Sequence, residues 1–122
     1  MPRQIIESDW KLLRRLEPVA LERLCQAILS EVVRLASDTA RGGHARYLDV
    51  FNLIQERDEE VGEAFNEMKR STALVKLARM RSLGLVTDAE FAGFSAETQS
   101  VVALFLEPSD AEPGGAADGG GR

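Results

Sequence analysis

The chain has almost none of the residues that support covalent or redox chemistry. Its 122 residues include one cysteine, Cys25, and one histidine, His44. A single cysteine forms no intramolecular disulfide, so the sequence gives no reason to expect an oxidising compartment. A catalytic Cys–His pair would require these two residues to meet, but Cys25 falls on an apolar helical stripe, where an inert thiol is expected. We therefore expect no catalytic residue, no cofactor and no enzymatic activity.

Long apolar runs and a positive net charge are also absent. The longest apolar run, VVALFL at 101–106, has six residues, whereas a membrane-spanning helix needs about 20. The first eleven residues, MPRQIIESDWK, lack the apolar centre of a signal peptide. The net charge of −5 does not favour general affinity for nucleic acid. These features predict a cytoplasmic protein with no membrane association, and nucleic acid is not an expected partner.

Proline and glycine are scarce outside the C-terminal end. Pro18 is the only proline between residues 3 and 107, and 114–121 contains half of the ten glycines. Helix is therefore the default expectation for residues 1–107, which we interpret as one helical domain. Residues 108–122, PSDAEPGGAADGGGR, have too little apolar content to bury a core and are predicted to be a flexible tail.

Apolar spacing predicts the first helices. Ser8 or Asp9 can cap a short helix that ends near Leu16. Pro18 suits the first turn of a second helix, 18–40, because its missing N–H costs nothing there. The glycines at 42 and 43 would end that helix. Its apolar stripe consists of Leu21, Cys25, Ile28, Val32 and Leu35.

A third helix is predicted to run unbroken over 44–82, where Gly62 is the only glycine. At about 1.5 Å per residue it would be about 58 Å long, against about 34 Å for the second helix. The shorter helix cannot cover the longer one, and apolar residues in 74–83 surround most of the circumference. A 4-3 pattern runs through Tyr47, Phe51, Ile54, Asp58, Val61, Phe65, Met68, Thr72, Val75 and Arg79.

Capping signals predict the C-terminal elements. Gly84, followed by the apolar Leu85, is typical of a Schellman stop. Thr87 and Glu90 form a capping box that opens a short helix. Ser95 can cap a last helix over 96–106, although VVALFL also has strand propensity. This last helix could pack within its own chain or on a second subunit.

These elements predict an all-α protein, built on a long antiparallel helical hairpin of 18–40 against 44–82, with short N- and C-terminal helices. The apolar surplus on the long helix suggests a dimeric helical bundle. The candidate subunit or partner interface consists of Leu74, Val75, Leu77, Met80, Val101 and Phe105.

A basic segment lies within this acidic chain, since residues 68–87 contain no acidic residue. We interpret its cations as the rim of a packed apolar seam, which their long stems can cover. The alternative is contact with an acidic partner or a phosphate backbone, although no aromatic residue lies between Phe65 and Phe91 to stack on bases. The candidate anion or nucleic-acid contacts are Lys69, Arg70, Lys76, Arg79 and Arg81.

Three other features have two interpretations each. RGGHARY at 41–47 is expected to be an interhelical turn, and the alternative is an anion site at a helix N-terminus. Trp10 is expected to anchor the first helix, and the alternative is exposure at a partner site. One predicted helix face is acidic, which favours a solvated face over a metal site because no Glu-x-x-His pair accompanies it. That face consists of Glu56, Glu60, Glu63 and Glu67.

The segment LVKLARMRSLGLVTDAEFAGFS, 74–95, resembles the helical hairpin of short oligomerisation modules at bacterial protein C-termini. The likeness depends on Gly84, Leu85, Val86, Thr87 and Glu90. More broadly, the chain resembles small all-helical bacterial proteins of unknown function, a resemblance that implies no activity.

We therefore expect a small, non-catalytic protein–protein interaction or adaptor protein that acts as a homodimer and binds an unidentified protein. The alternative is a nucleic-acid-associated regulator that uses the basic segment 69–81. A third interpretation is a metal-binding or enzymatic helical bundle that uses the acidic face.

Overall fold

The computed structural model describes residues 4–106, which form five helices and no strand. The all-α prediction is confirmed, and VVALFL is helical. The predicted tail, 108–122, lies outside the described residues. The helices are α1 (Glu7–Ala36), α2 (Gly43–Phe65), α3 (Ala73–Ser82), α4 (Asp88–Phe91) and α5 (Ala96–Leu106).

The first two predicted helices are one, because α1 continues through Pro18. The predicted boundary there was wrong. Proline removes one N–H from the helix, but the buried side chains Leu13, Ala20 and Leu24 lie on both sides of it and all pack into the core. The predicted cap was also wrong, since the N-cap is Ile6 and no side chain caps this end.

The predicted 44–82 helix is broken, because α2 ends at Phe65 and α3 begins at Ala73. Glu67 has φ +57°, outside the helical region. The Thr72 hydroxyl stabilises the turn by donating to the Glu67 carbonyl at 2.6 Å and accepting from the Lys69 N–H at 3.1 Å. The turn contains neither glycine nor proline, so the sequence carries no helix-breaking residue that would predict it.

Burial explains the break. In α3, Leu77 and Met80 are fully buried, and so is Val102 of α5, which packs beside them in the core. Apolar side chains point to nearly every side of α3, and a straight helix would have left many of them exposed. The free-energy cost of such exposure is roughly 25 cal/mol for each Å² of apolar surface. The broken helix instead allows α3 to contact α1, α2 and α5.

The two stop signals around 84–90 are confirmed. Gly84 has φ +75°, the Leu85 N–H donates to the Met80 carbonyl at 2.9 Å, and the Gly84 N–H donates to the Arg81 carbonyl at 2.9 Å. These are the two bonds of a Schellman motif. The capping box of Thr87 and Glu90 is complete. The glycines at 42 and 43 do not end α1, which stops earlier at Ala36, and Gly42 is instead the N-cap of α2.

Asp9 has a structural role that its position in α1 did not predict. It is 3% exposed and accepts three hydrogen bonds at the start of α5. Its carboxylate accepts from the Ser95 N–H at 3.0 Å, the Ser95 hydroxyl at 2.6 Å and the Thr98 hydroxyl at 2.6 Å. Ser95 in turn caps α5 as predicted, because its Oγ accepts from the Thr98 N–H at 3.2 Å. A buried carboxylate with three donors therefore joins the two ends of the fold.

A second ionic link joins α1 to α4. The Arg23 guanidinium donates to both Glu90 carboxylate oxygens, at 2.7 and 2.8 Å, and to the Leu85 carbonyl at 2.8 Å. These hydrogen bonds, together with the one from the Thr87 N–H, lower the pKa of Glu90 from 4.5 to about 2. The capping-box glutamate is thus also the main polar contact between these two helices.

Candidate interaction surfaces

Each of the five basic residues of segment 69–81 has a partner inside the chain. Arg70 binds the Glu7 carboxylate through two hydrogen bonds and lies 5.2 Å from the centre of the Trp10 ring. Hydrogen bonding to Arg70 lowers the pKa of Glu7. Trp10 is buried and also lies beneath Arg14, so the alternative of an exposed tryptophan was wrong.

The other four cations also meet oxygens of this chain. Lys76 Nζ donates to the Glu63 carbonyl at 2.6 Å, and Arg79 binds the Glu63 carboxylate at 2.9 Å. Arg81 donates to the Val86 carbonyl at 2.8 Å and lies over the Phe91 ring. The remaining cation, Lys69, lies 3.6 Å from the Glu67 carboxylate. These contacts favour the rim interpretation, because the cations cover the α3 seam and the turn before it.

The acidic residues do not share one helical face as predicted. Glu67 lies in the turn after α2, with φ +57°, and is separated from Glu56, Glu60 and Glu63. Glu60 binds Arg57 at 3.1 Å and Glu63 binds Arg79. Within residues 4–106, no three His, Cys, Asp or Glu side chains are arranged to hold a metal ion.

The structure does not bring Cys25 and His44 together. His44 begins α2, whose Arg46 donates to the Ala36 carbonyl at the end of α1 at 2.6 Å. Cys25 lies about three turns earlier along α1, roughly 16 Å away at 1.5 Å per residue. Cys25 is half-buried rather than fully internal. In the 41–47 turn, Arg41 is paired with Asp49 through two hydrogen bonds, so its guanidinium is already neutralised.

The predicted interface residues divide into a buried and an exposed set. Leu74, Leu77 and Met80 are buried in the chain's own core, and Val101 packs against that core. Val75 and Phe105 remain exposed, each at 54%. They line a groove of about 420 Å³ between α3 and α5, together with Ala78, Arg79, Ser82 and Leu106. The last helix therefore packs on α3 of its own chain and leaves this groove open.

A second set of exposed large apolar side chains lies on α1 and α2. These residues were not among the predicted interface residues. The set, which we call the distal face, consists of Leu29 (55% exposed), Val33 (63%), Tyr47 (63%), Phe51 (47%) and Ile54 (41%).

The contacts between α1 and α2 explain this exposure. Arg57 of α2 binds Glu31 of α1 at 2.9 Å, and these hydrogen bonds lower the pKa of Glu31. Towards α3, the same two helices pack on Leu77 and its neighbours in the core, where Ala64 of α2 is buried. On the side that faces away from α3, no other described helix covers α1 and α2. A pair of helices buries one seam and leaves the flanks exposed.

Near the core, α1 and α2 border a common cleft. The cleft has a volume of about 360 Å³, with Leu21 and Pro18 of α1 on one side and Phe65 of α2 on the other. Arg14 and Glu17 form its remaining wall and bind each other at 3.0 Å. Leu21 of α1 and Phe65 of α2 therefore open onto the same cleft.

An exposed ladder of rings runs along α2 on the distal face. The His44 and Tyr47 rings stack with centroids 6.4 Å apart, and the Tyr47 and Phe51 rings stack 6.5 Å apart. Large aromatic side chains bring much apolar area to a contact at low cost in side-chain entropy. The 4-3 pattern already contained Tyr47, Phe51 and Ile54. The pattern predicted one apolar face of a helix, but the sequence does not reveal which flank of that helix α1 covers.

Comparison of the chain with protein-family models, with curated proteins and with solved structures found no match. Among the described helices, none is both long enough and apolar enough to cross a bilayer.

Proposed function

We propose that this chain is a non-catalytic protein–protein interaction or adaptor protein that acts as a homodimer. The observation that supports the proposal is the distal face, where large apolar side chains are 41% to 63% exposed. An exposed set of large apolar side chains is characteristic of an interface. Two helices expose one apolar layer, and a second copy of that layer completes a four-helix bundle.

The proposal includes an antiparallel hairpin of α1 and α2. The start of α2 contacts the end of α1 through Arg46, and the end of α2 lies beside Pro18 through Phe65. A helical wheel of about 100° per residue relates the distal-face residues of each helix to the residues that pack between α1 and α2. In both helices the distal-face residues lie about 120° beyond the packed residues, in the same rotational direction. Antiparallel helices turn in opposite senses when viewed along one direction. Equal rotations therefore place both sets of distal-face residues on one face.

The adaptor role needs a surface that remains free in the dimer. The groove lined by Val75 and Phe105 belongs to α3 and α5, whereas the distal face belongs to α1 and α2. Dimerisation through the distal face would leave this groove, part of the sequence-predicted interface, accessible to a different protein. The internal pairing of the basic segment supports a protein partner over a phosphate backbone.

Multi-angle light scattering across a concentration series tests the proposal. We expect a dimer for the natural chain and a monomer for Phe51→Asp, because the substitution would bury an unpaired carboxylate in the interface. Phe105→Asp places the same charge on the other apolar surface and is expected to remain a dimer. A natural chain that is monomeric throughout would refute the homodimer. A monomeric Phe105→Asp beside a dimeric Phe51→Asp would move the interface to the α3–α5 groove.

A further inference from the structure

A hydrogen-bonding ring and a carboxylate lie at symmetric positions about Phe51 on α2. His44 lies seven residues before Phe51 and Asp58 lies seven residues after it. Seven residues are two helical turns, so all three occupy nearly the same side of α2, with about 10 Å between neighbours. Asp58 is exposed and has no ion pair with any residue of 4–106. An imidazole that can donate a hydrogen bond and an exposed carboxylate thus lie at equal distances from a central ring.

This spacing makes the α2 surface complementary to itself. In a two-fold contact between antiparallel helices, residue i faces residue j with a constant sum of i and j. A two-fold axis at Phe51 places His44 opposite Asp58 of the partner subunit, and the same pair forms a second time across the axis. We propose that a second copy of this chain binds the distal face with α2 antiparallel to α2 and the two Phe51 rings at the centre. This inference rests on the homodimer of the proposed function and adds its register.

The position of α1 agrees with that axis. Arg46 reaches the Ala36 carbonyl and Arg57 reaches Glu31, so Phe51, midway between the two arginines, lies level with a point between Glu31 and Ala36. That point is Val33, which is 63% exposed, the highest exposure of any large apolar residue on α1. The axis that centres the rings therefore also places Val33 opposite Val33 of the partner subunit.

The other two-fold arrangement would place α2 on α1 of the second copy, with Phe51 against Val33. Phe51 lies beside Val33 along the helix axes, so seven residues further along α2 Asp58 would lie near Cys25 and Gln26. Neither of these residues carries a positive charge. His44 would lie beyond the end of α1. Hydrogen-bond complementarity therefore favours α2 against α2, because only that register pairs the exposed carboxylate with the histidine.

Site-specific cross-linking distinguishes the two registers. In a Cys25→Ser background, Phe51→Cys should give a covalent dimer with a short bismaleimide, because the two thiols meet at the axis. Phe51→Cys mixed with differently tagged Val33→Cys should give homodimer products and almost no 51–33 product. Predominant 51–33 product, or a scattering dimer without 51–51 product, would overturn the register and leave the homodimer standing. A monomeric natural chain would refute both the register and the homodimer.

Charge substitutions provide an independent readout of the same register. Asp58→Lys removes the hydrogen-bond acceptor at each of two symmetric contacts, places a cation beside the His44 imidazole of the partner subunit, and should weaken dimerisation about tenfold or more. Glu56→Lys makes the same charge change two residues away on the opposite side of α2 and should leave the dissociation constant nearly unchanged. His44→Glu should weaken the dimer, and His44→Glu combined with Asp58→Lys should recover most of the loss. Equal effects of Asp58→Lys and Glu56→Lys, or no recovery in the double variant, would contradict the pairing.

Discussion

The contact between Glu90 and Arg23 makes a sharp prediction about stability and pH. Removing the charge of Glu90 by Glu90→Gln keeps a capping-box residue, since glutamine also accepts from the N-cap N–H. The pKa of Glu90 falls from 4.5 to about 2, and Arg23 is the largest cause. One pKa unit corresponds to about 1.4 kcal/mol, so the whole shift would amount to about 3.4 kcal/mol. The side chains of Arg23 and Glu90 are 37% and 25% exposed, so solvent screening reduces the expected contribution to about 2 kcal/mol.

The sign follows from linkage. Because Glu90 has a lower pKa in the folded state, its contribution is complete above about pH 4.5 and is lost as pH falls towards about 2. Glu90→Gln should therefore be less stable than the natural chain by about 2 kcal/mol at pH 7, and the two curves should converge near pH 2. Urea unfolding followed by circular dichroism at a series of pH values measures this difference, and other carboxyl groups cancel from it.

Asp88→Asn is the matched control, because Asp88 lies two residues earlier in α4 and its side chain is 98% exposed, so its ion pair with Arg81 at 3.1 Å contributes little to stability. Its stability should follow that of the natural chain at every pH. A difference between Glu90→Gln and the natural chain that stays constant from pH 7 to pH 2 would refute the reasoning. The charge of Glu90 would then not be the source of the stabilisation.

Three further substitutions test the fold by chemical denaturation. Asp9→Ala should cost about 3 kcal/mol, because it leaves the Ser95 and Thr98 donors buried without an acceptor; a loss below about 1 kcal/mol would contradict this role. Gly84→Ala should cost about 1 kcal/mol because of its positive φ, whereas Gly43→Ala, in open space at the first turn of α2, should not destabilise. Pro18→Ala should raise stability by about 2 kcal/mol by restoring a backbone donor inside α1, and an unchanged melting temperature would count against it.

Signals that act over a few residues predicted local structure well. The Schellman stop at Gly84, the capping box of Thr87 and Glu90, and the Ser95 cap all depend on hydrogen bonds within about five residues. The chain therefore carries their whole cause in a short stretch. Helix content was predictable for the same reason, because apolar spacing at 3.6 residues per turn reports directly on an amphipathic helix.

Boundaries decided by tertiary packing were not predictable. Pro18 favoured a helix start, yet burial on both sides of it holds α1 together. The segment 66–72 contains no breaker, yet the need to cover Leu77 and Met80 on all sides bends the chain there. The exposure of the distal-face residues was not predictable for a related reason. The sequence indicated an apolar surplus in 74–83, but only the fold reveals that α1, α2 and α5 cover much of it.

The Asp9 contact also bears on the order in which the chain can fold. Asp9 and its donors are 86 and 89 residues apart in sequence, whereas the turn between α1 and α2 joins neighbouring segments. Contacts of long sequence separation form slowly because a large loop must close first. During synthesis, Asp9 emerges from the ribosome long before Ser95 and Thr98, and its carboxylate stays hydrated until nearly the whole helical region has been made. Closure of the fold, and with it burial of this charge, is therefore a late event that the N-terminal helices cannot complete alone.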